Sequence, residues 1–290
     1  MSTFAQRRAA RDDEFSSTVH VYEPHRVGLP PLGTYLRELW RRRELALELG
    51  RSELRAQHFN TVLGQLWLVL NPLFLGLVYF ALVTIVRGGS RGSEFFAHLL
   101  LGLFTFQIVS VSIRQGAKSV VGGGRLILNI AFPRALLPLS SVWVAFIRFL
   151  ATLVVYAFVH ALVGLPVTPE VLWAVPIIAL VVVFAAGVTM LAAAVQVYFR
   201  DLRQFLRYFL RIWLYASPIL YYASEVPERL EPILLLNPLY PMLTALNEAA
   251  IEGQTPSAGL LAGSVAWAAA ALVVGGLFFI SREREFAVRL

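Results

Sequence analysis

Six long apolar runs alternate with polar segments along the chain, and each run is long enough to cross a membrane. A spanning helix needs about 20 mostly apolar residues. The predicted spans are at about 64–86, 95–114, 139–164, 171–197, 204–223 and 258–280. The pattern therefore predicts an all-α, polytopic membrane protein with a six-helix transmembrane domain at residues 63–290.

A seventh apolar run, at residues 232–246, is too short to be a span and contains three prolines. At about 1.5 Å per residue it covers roughly 22 Å, whereas the bilayer core is about 30 Å thick. Irregular backbone at membrane depth is tolerated only where protein or water covers it. We therefore predict re-entrant external helices at 232–250, between the fifth and sixth spans.

The segment before the first span is amphipathic. Residues 33–62 mix leucines, Trp40 and Phe59 with arginine and glutamate, a pattern typical of a helix lying in the membrane interface. We predict such a helix with a bend at Gly50; a plain soluble helix is the alternative. Residues 1–32 are polar and are predicted to be a cytoplasmic tail.

The arginines indicate the orientation in the membrane. Twenty-one of the 25 basic residues lie in segments that six spans place on one side, namely 1–63, 114–138, 200–211 and 282–290. Because positively charged loops stay in the cytoplasm, both termini are predicted to be cytoplasmic. The net charge of +7 reflects this bias, so no nucleic-acid partner is expected.

The chain lacks the motifs of common catalytic and metal sites. It contains no cysteine, and its five histidines have no metal-ligand spacing. The glycine triplet at 122–124 lacks the frame of a phosphate-binding loop and indicates a turn instead. The spans hold no aspartate or glutamate for ion coupling. We expect no catalytic residue, metal or cofactor on this chain, so pumping would require energy from a partner.

Four segments resemble the membrane subunit of ABC-2 type polysaccharide exporters, the family of O-antigen and teichoic-acid permeases. They are ELGRSELRAQHFNTVLGQLWLVLNPL, ILNIAFPRALLPLS, YFRDLRQFLRYFLRIWLYASPILYY and LLLNPLYPMLTALNEA, in this order. The resemblance covers roughly residues 33–290. It implies a homodimer in a bacterial cytoplasmic membrane, two separate ATPase subunits that bind ATP and magnesium, and a cargo glycan on a polyprenyl pyrophosphate. The arginine-rich, cysteine-free composition fits a cell-wall galactan.

The resemblance implies a channel lined largely by the first and fifth spans. Sugar rings stack on aromatic faces, and the fifth span is rich in aromatic residues. The predicted channel aromatics are Phe205, Tyr208, Phe209, Trp213, Tyr215, Tyr221 and Tyr222. The alternative is an interfacial aromatic belt facing lipid.

Arginines near the predicted channel are candidates for holding the pyrophosphate, because guanidinium forks match phosphate oxygens. The predicted lipid-pyrophosphate ligands are Arg51, Arg55, His58, Arg203, Arg207 and Arg211. The alternative is contact with lipid headgroups. Arg148, inside the third span, is predicted to pair with a backbone carbonyl or a partner helix.

Two further sets of residues follow from the resemblance. The short apolar helix within the cytoplasmic coupling loop 115–138 needs a partner surface, and the predicted ATPase contacts are Leu126, Ile127, Leu128, Asn129, Arg200 and Asp201. Asp201 is also predicted to pair with an arginine or to cap the fifth helix. The external segment is predicted to close the channel exit through Asn237, Tyr240 and Asn247.

Three other functions compete with polysaccharide export. An ABC-2 permease for a drug or small lipid would use an apolar groove rather than an aromatic channel. A membrane glycosyltransferase would require acidic metal-binding motifs, which do not appear. A structural scaffold would leave the charge and proline of the fifth span without a purpose.

Overall fold

The computed structural model describes residues 29–57, 63–89 and 92–289, and the regular elements in these ranges are all helical. The first six helices are α1 Leu32–Arg41, α2 Arg43–Gln57, α3 Trp67–Arg87, α4 Gly92–Gly122, α5 Gly124–Asn129 and α6 Leu136–Val163. The next six are α7 Ala174–Tyr198, α8 Leu202–Ala216, α9 Glu231–Leu235, α10 Leu239–Asn247, α11 Ala258–Arg282 and α12 Phe286–Arg289. The predicted all-α class is confirmed.

Five described helices are long and apolar enough to cross a membrane, namely α3, α4, α6, α7 and α11. They match the first four and the last of the predicted spans, so the protein is a multi-pass membrane protein. The predicted span at 204–223 is not confirmed, because α8 has only 15 residues and is about 22 Å long. It ends at Ala216 because Ser217 precedes Pro218, and the residue before a proline is driven out of the helical conformation.

The bundle has two ends. The terminal end carries α1, α2, α5 and α12, and the distal end carries α9 and α10. The chain passes from one to the other through α8 and residues 217–222. Before α8, the Tyr198 hydroxyl donates to Glu285 at the terminal end, over 2.6 Å. After it, the Tyr222 ring lies 4.5 Å from the imidazole of His98 at the distal start of α4.

Helix α4 forms the centre of the bundle. It is buried along most of its length and packs against α6 and α7, while α11 packs against the outer side of α7. A helix that is apolar all round belongs in an interior. Helix α3 lies at the edge and leaves Phe74, Val78 and Ile85 exposed.

Helices α7 and α11 meet backbone to backbone at glycines. A Cβ atom on Gly275 would lie 1.9 Å from the carbonyl oxygen of Gly187, and one on Gly187 would lie 2.2 Å from the carbonyl carbon of Ala271. Small residues allow such backbone contact between membrane helices. The neighbouring Gly276 has no atom within 4 Å of its Cβ position.

At the terminal end, the buried carboxylate of Glu283 joins α1 to the loop before α6. The Tyr35 hydroxyl of α1 donates to Glu283 Oε2 over 2.5 Å, and the backbone N–H of Arg134 donates to Oε1 over 2.5 Å. Burial raises the pKa of the Tyr35 phenol well above its usual value, and the Glu283 carboxylate adds to the rise. Tyr35 therefore remains a hydrogen-bond donor.

The N-terminal helices differ from the prediction in two ways. The break lies at Arg42, and α2 continues through Gly50. Gly50 packs against Trp143 and Val144 of α6, because a glycine leaves room for that contact. The predicted tail 1–32 lies outside the described residues up to position 28, and α1 begins at its last residue, Leu32.

The predicted coupling loop is more helical than expected. Helix α4 continues to Gly122, and α6 begins at Leu136, so only residues 123–135 connect them. The short helix within the loop is present as α5, and the glycine triplet marks its boundary with α4.

Candidate functional site

A cavity of about 580 Å³ lies beside α8, and four arginines line it. Arg114 comes from α4, Arg148 from α6, and Arg207 and Arg211 from α8. The other polar lining residues are neutral, namely Asn71, Tyr79, Gln107 and Ser110. No carboxylate lines this cavity in the described part of the chain. We call it the arginine cavity.

The sequence of α8 explains why two of its arginines reach the cavity. Leu206, Leu210 and Leu214 recur every four residues and are buried against the core. This stripe fixes the rotation of the helix. Arg207 and Arg211 directly follow two of these leucines and line the cavity, whereas Arg203, one turn earlier, does not line it. All three arginines are exposed.

Arg148 has a partly buried guanidinium. Its Nε and Nη2 atoms are buried and form no hydrogen bond with any described residue. The predicted pairing with a backbone carbonyl or a partner helix is therefore not found for these two atoms. Glu53 on α2 attracts the guanidinium and Arg114 repels it. The Nε atom of Arg114 donates to the Ser110 carbonyl, at 3.2 Å.

Two other predicted pyrophosphate ligands that the structure describes, Arg51 and Arg55, do not line the arginine cavity. Arg51 forms an exposed ion pair with Glu48 at 2.5 Å, and Arg55 is exposed on α2. His58 lies outside the described residues. Arg114 and Arg148 were not predicted as ligands, although each is a charge within an apolar helix, and that signal was available in the sequence.

Four of the predicted channel aromatics, Phe205, Tyr208, Phe209 and Tyr215, are exposed on α8. The Phe205 and Phe209 rings are stacked with centroids 5.6 Å apart. Trp213 instead turns into the protein, where its Nε1 donates to Asn237 Oδ1 over 2.8 Å.

Tyr221 and Tyr222 follow α8 and pack at the distal end rather than on its exposed face. The hydroxyl of Tyr221 donates to the carbonyl of Ala216 over 3.0 Å. Tyr222 packs on His98 and Phe95. Both depart from the predicted row of channel aromatics, because the chain turns at Pro218.

The predicted exit-closing residues are held within the distal end. Asn237 accepts from Trp213 Nε1 and from the N–H of Leu239, and it donates to the Ala216 carbonyl and to Ser217 Oγ. Its side chain thereby ties the end of α8 to the start of α10.

The second asparagine of this end also has fixed partners. Asn247 Oδ1 lies 2.6 Å from Nδ1 of His98, and Asn247 Nδ2 donates to Glu252 over 2.7 Å. Tyr240 is 9% exposed. Tyr240 and Asn247 line a distal cavity of about 530 Å³.

The predicted ATPase contacts divide between the surface and the interior. Leu128, Asn129, Arg200 and Asp201 are exposed, whereas Ile127 is buried and Leu126 packs beside it. For the four residues of α5, this division follows from the helical turn, which presents one face to the core; Arg200 and Asp201 lie in the connection between α7 and α8. Asp201 occupies the N-cap position of α8, but its side chain makes no capping hydrogen bond.

Comparison with known proteins identifies the family. Residues 45–251 match the family model of the ABC-2 type transporter. The O-antigen export system permease protein RfbA of Myxococcus xanthus is 30% identical over 255 residues, which cover 87% of this chain and 97% of that protein. A protein of the same name from Klebsiella pneumoniae is 29% identical over 216 residues, covering 72% and 81%. The chain therefore belongs to the ABC-2 type transporter family, as its four motifs predicted.

Proposed function

We propose that this chain is the membrane subunit of an exporter for a polyprenyl-pyrophosphate-linked polysaccharide in a bacterial cytoplasmic membrane. The cargo class is an O-antigen, a teichoic acid or a cell-wall galactan. The relatives described above are O-antigen export permeases, which supports a glycan cargo. Two copies form the channel, and two separate ATPase subunits bind ATP and magnesium and supply the energy.

The exposed face of α8 carries this proposal. It combines Arg207 and Arg211 with Phe205, Tyr208 and Tyr215. An arginine facing lipid at the centre of a bilayer costs about 2.5–3.5 kcal/mol by insertion scales, so this face suits water better than lipid. Facing the same surface of a second copy, it would enclose an aqueous channel in which sugar rings meet aromatic rings.

The non-helical residues after α8 also support an aqueous channel beside this helix. Residues 217–222 continue toward the distal end without helical hydrogen bonding over most of their length. Such backbone is tolerated at membrane depth only when protein or water surrounds it. We propose that α8 and these residues form the sixth crossing and that the short helices α9 and α10 are re-entrant from outside.

The terminal end is proposed to face the cytoplasm and the ATPases. Leu128 is 64% exposed and lies beside Arg200 in a cavity of about 540 Å³ that Arg125 and Arg289 also line. An exposed apolar side chain among arginines suits a partner with an acidic rim and an apolar groove. At the distal end, Asn237, Tyr240 and Asn247 are proposed to hold the segment that closes the exit.

A reconstituted complex tests the function. Affinity purification of the full chain from native membranes is expected to retain an ATPase subunit. In proteoliposomes, that complex is expected to move polyprenyl-pyrophosphate-linked glycan into the lumen when ATP is present. The control is the same complex with its ATPase disabled at the nucleotide-binding lysine, which should leave the glycan outside.

The same assay separates the competing functions. ATPase stimulation by a drug or phospholipid, with none by the lipid-linked glycan, would replace this proposal with export of a small amphiphile. Lengthening of the glycan from a sugar nucleotide without any ATPase subunit would indicate a glycosyltransferase.

A further inference from the structure

The arginine cavity concentrates positive charge, and none of its described lining residues is acidic. Four guanidinium groups from three helices line one space, and no carboxylate among the described residues lines it. Glu53, the acidic group that acts on Arg148, lines a different cavity beside α2. Like charges in a partly apolar space repel strongly. An anion entering the cavity would relieve this repulsion.

Arg148 points to the kind of ligand. Buried polar atoms in proteins nearly always have partners, yet Nε and Nη2 of Arg148 have none among the described residues. These two atoms form one edge of the guanidinium fork, the edge that matches two oxygens of a phosphate. Neither atom is in contact with the cavity space in this conformation, so Arg148 must turn its guanidinium toward the cavity to use this edge. A guanidinium edge binds an oxyanion rather than a neutral sugar.

Part of the cavity wall is apolar. Leu68 and Leu75 of α3, Leu103 and Phe106 of α4, and Leu214 of α8 line it beside the arginines. A free phosphate would leave this wall in water. A phosphate group attached to a hydrocarbon chain would occupy both parts, with the charge on the arginines and the chain along the leucines.

We propose that the arginine cavity binds the diphosphate group of a lipid, with Arg114 and Arg148 as ligands in addition to Arg207 and Arg211. The volume of about 580 Å³ accommodates a diphosphate together with the first part of an isoprenoid chain. This inference rests on the proposed function, because it assigns the site that receives the lipid end of the cargo. It gives no ligand role to Arg51, Arg55 or Arg203, which do not line the cavity.

Binding of farnesyl diphosphate to the full chain in lipid nanodiscs tests the site. Replacing Arg148 by glutamine is expected to weaken binding about 10- to 100-fold, the usual effect of losing a charge-assisted hydrogen-bond pair. Arg114→Gln provides a second variant on another helix, with the same expectation. Arg37→Gln removes one exposed charge on α1, outside the cavity, and is expected to leave the affinity unchanged. A melting curve for each variant checks that it is folded.

Three other ligands identify the chemistry. Farnesol, which lacks the diphosphate, is expected to bind at least tenfold more weakly than farnesyl diphosphate. Inorganic pyrophosphate is expected to compete weakly, because it leaves the apolar wall unfilled. Phosphatidylglycerol that displaces farnesyl diphosphate at equal concentration would overturn the proposal in favour of a general headgroup site.

The binding and export assays together distinguish a failure of the diphosphate site from a failure of the proposed export function. If Arg148→Gln and Arg114→Gln both fold and bind farnesyl diphosphate as tightly as the original chain, the site is wrong even if ATP-driven glycan export continues. If binding falls as expected but the unmodified complex exports no glycan, the proposed function is wrong and the diphosphate site remains.

Discussion

Replacing Gly275 by alanine is expected to destabilise the protein by about 3 kcal/mol, at the upper end of the usual cost of overpacking a core. The new Cβ atom would lie 1.9 Å from the carbonyl oxygen of Gly187. Backbone atoms cannot rotate away as a side chain does, so α7 and α11 must separate along their contact. The lost packing lies between two of the five apolar spans.

The neighbouring Gly276 provides the control. It lies in the same helix, but no atom is within 4 Å of its Cβ position. Gly276→Ala should leave stability unchanged or raise it by up to about 1 kcal/mol, because alanine favours a helix more than glycine does. Thermal unfolding in detergent, followed by tryptophan fluorescence, measures both variants. Equal melting temperatures for the two would show that the α7–α11 contact is looser than described.

Replacing Asn237 by leucine is expected to destabilise the protein by about 2–4 kcal/mol, the sum of several hydrogen bonds of about 1 kcal/mol each. The side chain makes four such bonds, and they join the end of α8 to the start of α10. Leucine has a similar volume but no polar atom, so it leaves the indole N–H of Trp213 without its partner.

Asn129→Leu is the matched control for this variant. Asn129 is exposed and makes one local hydrogen bond, to the carbonyl of Arg125, so its loss should change stability by less than about 1 kcal/mol. The same melting experiment compares the two. If Asn237→Leu alters export but melts like the original chain, Asn237 acts only at the exit and does not hold the distal end together.

The long helices could be predicted because composition and length alone define a spanning segment. The end of α8 could also be predicted, because Ser217 and Pro218 form a helix-stop signal in the sequence; the apolar run around them led to the longer span at 204–223. The exposed Phe205 and the inward Trp213 could not be distinguished from the sequence. Their positions depend on which stripe of α8 meets the core, and the buried leucines determine that stripe.

Only some of the arginines in the cavity could be predicted from the sequence. Arg207 and Arg211 could be predicted as neighbours from their spacing of four residues. Arg203 has the same spacing, but positions four apart shift by about 40° around a helix, so three successive arginines do not all reach one cavity. Arg114 and Arg148 lie far apart in sequence and meet only because α4 and α6 pack together. Such a meeting depends on tertiary packing.

The hydrogen bonds of Glu283 mechanically couple two distant parts of the chain at the terminal end. One side chain near the C-terminus holds both α1 and the loop that precedes α6. The first and last parts of the described chain are therefore anchored to the same short loop. A displacement of that loop must therefore move both parts together. Because α5 leads directly into the loop, a force on α5 is expected to move α1 and α12 together. Two spectroscopic labels, one on α1 and one on α12, would detect this shared movement.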